Sequence, residues 1–343
     1  MSQPAAPTDP LDSLRHAADG AQRLAIAWLG VEAGLFDALA ACAATPVAIA
    51  AARGLDPVYT QRWAEAALAY GLLEEVPSAP TWTLRPTTAG ALLCEGQPGL
   101  PLAVGFGLTA HATGRLPALV RSGARPGEVL LSENPSIAPH FGAMLEAGFG
   151  RALDTVVLPQ VPAYAEQLAH GGLVIDLGCG NGWFLRRLLG HFSAASGLGV
   201  DGMPDAIADG RARAEAAGLS HRLELRCADV LPLPAAAGAA LIALNRALHH
   251  VWDRQEAVLS AVVGALAPTG IVAIWEPAWP EDPRSLARPG RRGLTWNNLL
   301  EHVQGNHLLH PDQIAAALTG AGLRPEITML PGGDVVVIGR RPG

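Results

Sequence analysis

One glycine turn and three aspartates stand where the chain could hold a charged ligand. In VIDLGCGNGWF (residues 174–184) an apolar run closes on Asp176, and Gly178, Gly180 and Gly182 follow at every second position. Asp201 ends the run GLGVD and Asp229 ends the run CAD. A strand, a glycine turn and a helix beginning near Trp183 would build a nucleotide-type pocket at the strand's carboxyl end. A dinucleotide turn reads G-x-G-x-x-G, its last glycine letting the helix pack beneath a pyrophosphate. Here Trp183 fills the place of that glycine.

The remaining residues narrow the ligand. Asp201, followed by Gly202, can accept both hydroxyls of a ribose. Asp229, followed by Val230, can accept from an adenine amino group, and Asp176 would face the positive part of a cation. Asn245 and Arg246, ending the next apolar run, are placed to contact cofactor or substrate. Neither Arg nor Lys is expected among the acids, and no phosphate cradle is obligatory. Such a set suits a positively charged ligand without phosphate, and S-adenosylmethionine is one. Taken singly, the glycines are turn formers and Asp201 and Asp229 are helix caps; together their spacing fits one ligand.

A second constellation is rich in histidine. ALHHVWDRQ carries His249, His250 and Trp252, and NNLLEHVQGNHLLH carries Asn297, Asn298, Glu301, His302, Gln304 and His307. A neutral imidazole titrating near pH 6.5 suits proton removal. Asn297, Glu301 and Gln304 share one helical face, and Asn298 and His302 the next. That face points to a polar substrate held by hydrogen bonds, with a solvated surface helix as the alternative. His249, His250, Glu301, His302 and His307 could also make a two-histidine, one-carboxylate metal site, but their spacing is non-local and no metal is assigned. Asp253 with Glu256 reads as a helix N-cap with its reciprocal acid. Trp252 reads as core or pocket wall, and His250 as a helix-approach or substrate residue.

These side chains need elements to carry them. From residue 171 strands alternate with helices: strands at 173–177, 197–201, 223–227, 239–245, 270–276, 324–329 and 334–339, helices at 183–191, 204–217, 254–266 and 311–321. This alternation predicts an α/β domain over 171–343, a Rossmann-like doubly wound sheet of seven strands, mostly parallel. Residues 1–105 read as an N-terminal helical, winged-helix-like domain: a helix over 24–39 broken at Gly34, helix-turn-helix over 46–76 punctuated at Asp56-Pro57, then a short ribbon and helix start over 81–93. Residues 106–170 read as looser connecting helices lining the substrate side, with breaks at Arg125-Pro126-Gly127 and Asn134-Pro135.

Composition sets the outer bounds. The 343 residues are half hydrophobic and 16% charged, with a net charge of −7, and every one of the 24 basic residues is Arg. Phosphate neutralisation needs several bases on one face. Between Asp56 and Tyr70, where a recognition helix would lie, the only base is Arg62, set against Glu65. Nucleic acid is therefore not an expected partner. Cys42, Cys94, Cys179 and Cys227 share no metal or disulfide spacing, which suits a reducing cytoplasm. The opening MSQPAAPTDPLDS reads as neither signal peptide nor anchor, and the Ala-rich stretches are interrupted before a membrane-spanning length of about 20 residues.

VIDLGCGNGWF, GLGVDGMPDAIADGRARA, LRCADVL, LNRALHHVWDRQEAVLSAV and ALAPTGIVAIWEP resemble, in order and spacing, the motifs of class I S-adenosylmethionine-dependent methyltransferases. With the helical domain ahead of them, the chain resembles the two-domain small-molecule O-methyltransferases of plant caffeate-type and bacterial natural-product enzymes. The likeness is strongest over 171–277, weaker over 20–95 and weakest over 280–343. It implies methyl transfer to a small acceptor, most simply a hydroxyl, with His249 at the catalytic-histidine position, and a homodimer that buries the apolar segment 24–39. In that family a Gly-Gly segment with a following acid orients the histidine. Gln304-Gly305-Asn306-His307-Leu308 stands there instead, so Glu276 or Glu301 would have to supply the acid. Two other readings stay open: an iron-dependent C-methyltransferase acting on an α-keto acid, and a DNA-binding regulator that senses S-adenosylmethionine.

Overall fold

The structure is a computed structural model that describes residues 9–127, 137–233, 238–288 and 291–342. The first eight residues and the Asn134-Pro135 break lie outside the described residues. Two compact units form, one from Met1–Pro117 and Asn134–Gly148, the other from Ala118–Glu133 and Phe149–Gly343.

Three helices of the first unit begin at side chains that cap them. Asp9 opens Pro10–Glu32 by accepting from the Leu11 N–H, Thr45 opens Pro46–Arg53, and Asp56 opens Pro57–Ala69 by accepting from Val58 and Tyr59. Each has proline in the first turn, where the missing N–H matters least. Gly34, at φ +64, takes the left-handed turn between Pro10–Glu32 and Leu35–Ala41. Strands β1 (Leu73–Glu75) and β2 (Leu84–Pro86) then pair as an antiparallel ribbon. The apolar stretch 24–39 does not wait for a second chain. Ala27, Val31, Leu35, Phe36 and Leu39 are buried in this unit's own core, where Phe36 meets Trp63 edge-on at 5.5 Å. Helix Leu100–Ser122 runs unbroken through position 105. Among the described residues no single helix is long and apolar enough to cross a membrane.

The second unit carries a seven-stranded sheet: β3 (Gly172–Leu177), β4 (Ala195–Asp201), β5 (Leu223–Cys227), β6 (Ala239–Asn245), β7 (Leu266–Pro277), β8 (Arg324–Met329) and β9 (Asp334–Arg340). Their order is β5-β4-β3-β6-β7-β9-β8; β3 to β7 are parallel, and β9 runs antiparallel to both β7 and β8. The inner strands are apolar runs because crossover helices cover parallel sheets. The alternation expected from residue 171 onward is therefore present, with helix Trp183–His191 and strands β5, β6 and β8 at the expected bounds.

Successive strands on either side of β3 diverge, to β4 in one direction and to β6 in the other. The chain thus opens a crevice at the carboxyl ends of β3, β4 and β6, where open α/β sheets bind ligands. Close packing beneath the glycine turn shapes this crevice. A Cβ on Gly210 would lie 2.4 Å from the Asn181 carbonyl oxygen and 2.7 Å from Leu225. Gly210→Val should therefore lower the unfolding free energy by about 2 kcal/mol or more, measured by urea denaturation. An unchanged midpoint would refute this tight contact.

Candidate functional site

Four strand ends gather the acids and amides of the crevice. Asp176 lies next to the end of β3, only 1% exposed, and accepts from Asn245 Nδ2 at 2.9 Å. Burial, with the Asp201 charge adding to it against the Asn245 hydrogen bond, pushes its carboxyl well above the ordinary range. Asp201 ends β4; its two oxygens accept from the backbone N–H groups of Gly180 and Met203 at 2.8 and 2.9 Å. One carboxylate thus ties the glycine turn to the start of the next helix. Gly178, Gly180 and Gly182 all have positive φ, and a Cβ on Gly180 or Gly202 would meet nothing within 4 Å.

Buried acceptors without partners line the same place. Among the described residues Asn245 Oδ1 and Asn181 Oδ1 have no hydrogen-bond partner, although Asn181 Nδ2 donates to Asp209. A buried acceptor left unsatisfied costs about 1–3 kcal/mol. An open glycine cradle, a buried carboxyl and two orphaned amide oxygens together fit a ligand that brings N–H donors and positive charge. S-adenosylmethionine, with its ammonium and sulfonium, fits these residues.

Asp229 stands differently from expectation. Its carboxylate is bridged by both terminal nitrogens of Arg254, at 2.8 and 2.9 Å, on the exposed rim after β5. That guanidinium, ahead of every other influence, holds the acid below its ordinary pKa. The expectation of acids without a base is thereby corrected. Val230, beside it, packs onto the sheet's core, as does Trp252.

His249 sits at the centre of a buried charge chain. It is 4% exposed, at the start of a 3₁₀ turn (Leu248–Arg254) that follows β6. Its Nδ1 pairs with Glu276 Oε2 at 2.8 Å, and its Nε2 lies 3.5 Å from Glu301 Oε2. Glu276, near the end of β7, also accepts the Leu248 backbone N–H at 2.9 Å. Burial alone would discharge the imidazole, but the two carboxylates overcome it and raise its pKa to about 10. Between two carboxylates, His249 holds its proton more tightly than the free imidazole expected from the sequence. The helix Arg292–Gln304 supplies Glu301. Burial opposes that acid's charge, yet the His249 contact outweighs it and holds the carboxyl below its ordinary value.

The other polar residues of that helix divide. Asn298 Oδ1 accepts the Leu308 N–H at 2.8 Å and so ties the helix to the following loop. His302 is exposed. Asn306, from the segment that stands in place of the family's Gly-Gly stretch, donates to His250 Nδ1 at 2.9 Å and also bonds Glu301. His250 stacks on His249 with ring centroids 4.2 Å apart. Of the five residues considered for a metal, His249, His250 and Glu301 bring ligand atoms within 4.8 Å of one another; His302 and His307 are exposed and outside that group. Asp253 makes no cap: the helix begins at Gln255, with Arg254 at its N-cap and no side-chain bond.

Arg246 is committed within the protein. Its Nη2 meets both oxygens of Asp334 at 3.0 and 2.8 Å, and its guanidinium lies 3.9 Å above the Phe149 ring. Among the described residues it is the only non-glycine with positive φ, +55°, a conformation costing about 1–2 kcal/mol. Asp334 and Phe149 had no signal in the sequence, since an acid opening an apolar strand and a lone aromatic name no partner.

Residues 174–270 match the family described as a methyltransferase domain. No curated protein sequence matches the chain. Solved structures match over nearly its whole length. Human N-acetylserotonin methyltransferase, in complex with S-adenosylmethionine, has a TM-score of 0.72 at 17% identity, covering 99% of this chain and 100% of that one. An O-methyltransferase family protein from Burkholderia thailandensis gives 0.65 at 22%, covering 98% and 99%. The N,N-8-amino-8-demethyl-D-riboflavin dimethyltransferase of Streptomyces davawensis gives 0.68 at 21%, covering 97% and 100%. The chain has the fold of these two-domain methyltransferases.

The charge chain makes a pH prediction. A histidine whose folded pKa is raised contributes stability that is whole below its unfolded value, near 6.5, and lost as pH rises to about 10. The wild-type melting temperature should therefore fall between pH 7 and 10 by a component missing from His249→Gln. Parallel curves for the two proteins would show that the ring is not held protonated.

Proposed function

We propose that the chain is an S-adenosylmethionine-dependent methyltransferase acting on a small, polar acceptor, in the first place on a hydroxyl. One observation carries the reading: an acid-lined glycine crevice, with orphaned buried acceptors, lies four residues of chain from a buried Glu276–His249–Glu301 relay. The fold likeness and the methyltransferase-domain match support it.

Asp176 and Asn245 bind the amino-acid end of the cofactor, Asp201 the ribose, and the backbone at Gly178 and Gly180 lets the ligand approach closely. Asp229 and Val230 take the adenine once Arg254 yields its place. When bound, the cofactor supplies a methyl group on a cationic sulfur that leaves as a neutral thioether. The chain has to position the acceptor, exclude water and receive one proton. His249 cannot receive it as it stands, because it already holds a proton between two carboxylates. The His249–Glu301 pair acts as the base together: the loose 3.5 Å contact opens to the acceptor oxygen, and its proton settles on the pair as the oxygen–methyl bond forms. Glu276 holds the ring's orientation through Nδ1.

Two further points belong to this reading. The protein is a homodimer: on helix Pro10–Glu32, Leu11 and Leu14 are uncovered, Leu14 being 68% exposed, and a second copy would bury them. It works in the cytoplasm, in keeping with four free cysteines.

His249→Ala should lower turnover about 10²-fold or more while S-adenosylmethionine affinity by calorimetry stays within a few-fold. Asp201→Ala should instead weaken that affinity at least about tenfold, the effect of one lost charged hydrogen-bonding group. In the wild type, the acid limb of kcat/KM should follow Glu301, which His249 holds below its ordinary value, and activity should change on the alkaline side as His249 gives up its proton at about pH 10. Absence of cofactor binding, or a limb at 6.5 with His249→Ala fully active, would sink the assignment. Labelled methyl donor and NMR of the product identify the receiving atom.

A further inference from the structure

We propose that Asp334 is a positioning residue for this methyl transfer: it clamps Arg246 in its left-handed conformation and thereby sets the turn that joins the cofactor residue Asn245 to His249. The inference rests on the methyltransferase reading above, but it concerns residues outside the crevice.

The chain gives Asp334 no freedom of its own. It opens β9 opposite Pro277 of β7, so the sheet register fixes its backbone. Its Oδ2 accepts from Arg246 Nη2 at 2.8 Å and from Trp275 Nε1 at 2.9 Å, and its Oδ1 accepts from Arg246 Nη2 at 3.0 Å. Phe149 closes the other side: its ring lies 3.9 Å from the guanidinium carbon and meets Trp275 edge-on at 6.0 Å. The Arg246 backbone N–H adds a bond to the Trp275 carbonyl at 2.7 Å. The side chain and backbone of one residue are thus both pinned to β7 and β9.

That residue is the strained one. A non-glycine persists at positive φ only where its surroundings over-determine it, and such residues cluster at functional sites. Arg246 separates two groups whose aims must agree. Asn245, just before it, reaches Asp176 at 2.9 Å and leaves a buried Oδ1 with no partner among the described residues. Ala247, just after it, is the residue a Cβ on Gly178 would strike at 2.7 Å. Leu248 and His249 follow, both donating their backbone N–H to Glu276. Release of Arg246 to ordinary φ would therefore rotate Asn245 away from Asp176, or His249 away from Glu276, or both. The ion pair is part-buried, with both side chains 21% exposed, so it is screened less than a fully exposed pair in holding the strained form.

The clamp also explains why the position is arginine rather than glycine. Glycine would adopt positive φ unaided. Arginine adopts it through Asp334, and the same guanidinium ties the turn to the start of β9.

The test is a double-mutant cycle on the full chain, with Asp334→Asn and Arg246→Gly, read by cofactor affinity, kcat and melting temperature. Asparagine keeps the shape and the bond to Trp275 but loses the ion pair. In the otherwise wild-type protein, Asp334→Asn should lower kcat about tenfold or more and weaken S-adenosylhomocysteine binding several-fold by calorimetry. In the Arg246→Gly background, where the turn no longer needs the clamp, the same substitution should change both by less than about twofold. Equal effects in the two backgrounds would make Asp334 an ordinary stabilising residue and overturn the proposal. A fall in melting temperature with kcat and affinity unmoved would do the same. If wild-type protein binds neither S-adenosylmethionine nor S-adenosylhomocysteine, the methyltransferase reading itself fails. Binding that survives with an additive cycle sinks only the clamp.

Discussion

A histidine ring buried between two carboxylates is the interaction on which the site turns. Isolated charges are expensive to bury, so Glu276, His249 and Glu301 can be inside only together. Their meeting needs three separate elements in register. β7 must lie beside β6 so that Glu276 reaches the turn after Asn245, and helix Arg292–Gln304 must return over the same sheet end to deliver Glu301. Loss of one member would strand the others without compensation. The order of the sheet and the chemistry of the turn are therefore one constraint, seen at two scales.

Much of this could be read from the sequence, and the part that could not has a common cause. Parallel strands covered on both faces read as apolar runs, which is why β5, β6 and β8 and the helix after the glycine turn fell at their expected bounds. The glycine turn and Asp201 were legible because local spacing sets their geometry. Glu276 and Glu301 were each legible as an acid for His249, but not that both would pair with its two ring nitrogens at once, because one lies 27 residues away and the other on a distant helix. Arg254 on Asp229 is 25 residues off, and Asp334 on Arg246 is 88. Sequence spacing gives the types of residue in a site, whereas charge states follow from pairings the fold makes. The apolar stretch 24–39 teaches the same lesson: its partners, Trp63 among them, were in the same unit.

The crevice and the relay differ in how they meet their own cost. In the relay, positive and negative groups compensate each other within the chain. In the crevice, Asp176 is buried with one hydrogen bond, and Asn245 and Asn181 each leave an oxygen unpaired. Burial drives Asp176 towards its neutral form, and a cation beside it would draw it back to the charged one. Binding of a cationic ligand and ionisation of Asp176 are thus linked, each favouring the other by the same free energy. A phosphate-bearing ligand would have the opposite effect, which is a physical reason for the crevice to discriminate between nucleotides.

That linkage has a consequence for methyl transfer as proposed. The cofactor enters as a cation and leaves neutral, while a hydroxyl acceptor gives up a proton. Positive charge therefore moves during the reaction from the sulfur, over the acids of β3 and β4, towards the His249–Glu301 pair beyond the end of β6. Asp176 and Asp201 favour the charged cofactor and lose that favour once the sulfur is neutral, which promotes exchange of the product. Glu301 gains where they lose, because the proton arriving beside it replaces the charge that departed. An uncharged amine acceptor would shift this balance, since it would become cationic before losing its proton. The acidic pair would hold that cation more tightly than a neutral ether. Hydroxyl methylation is thus the reaction for which binding and release are both served by the charges this fold has placed.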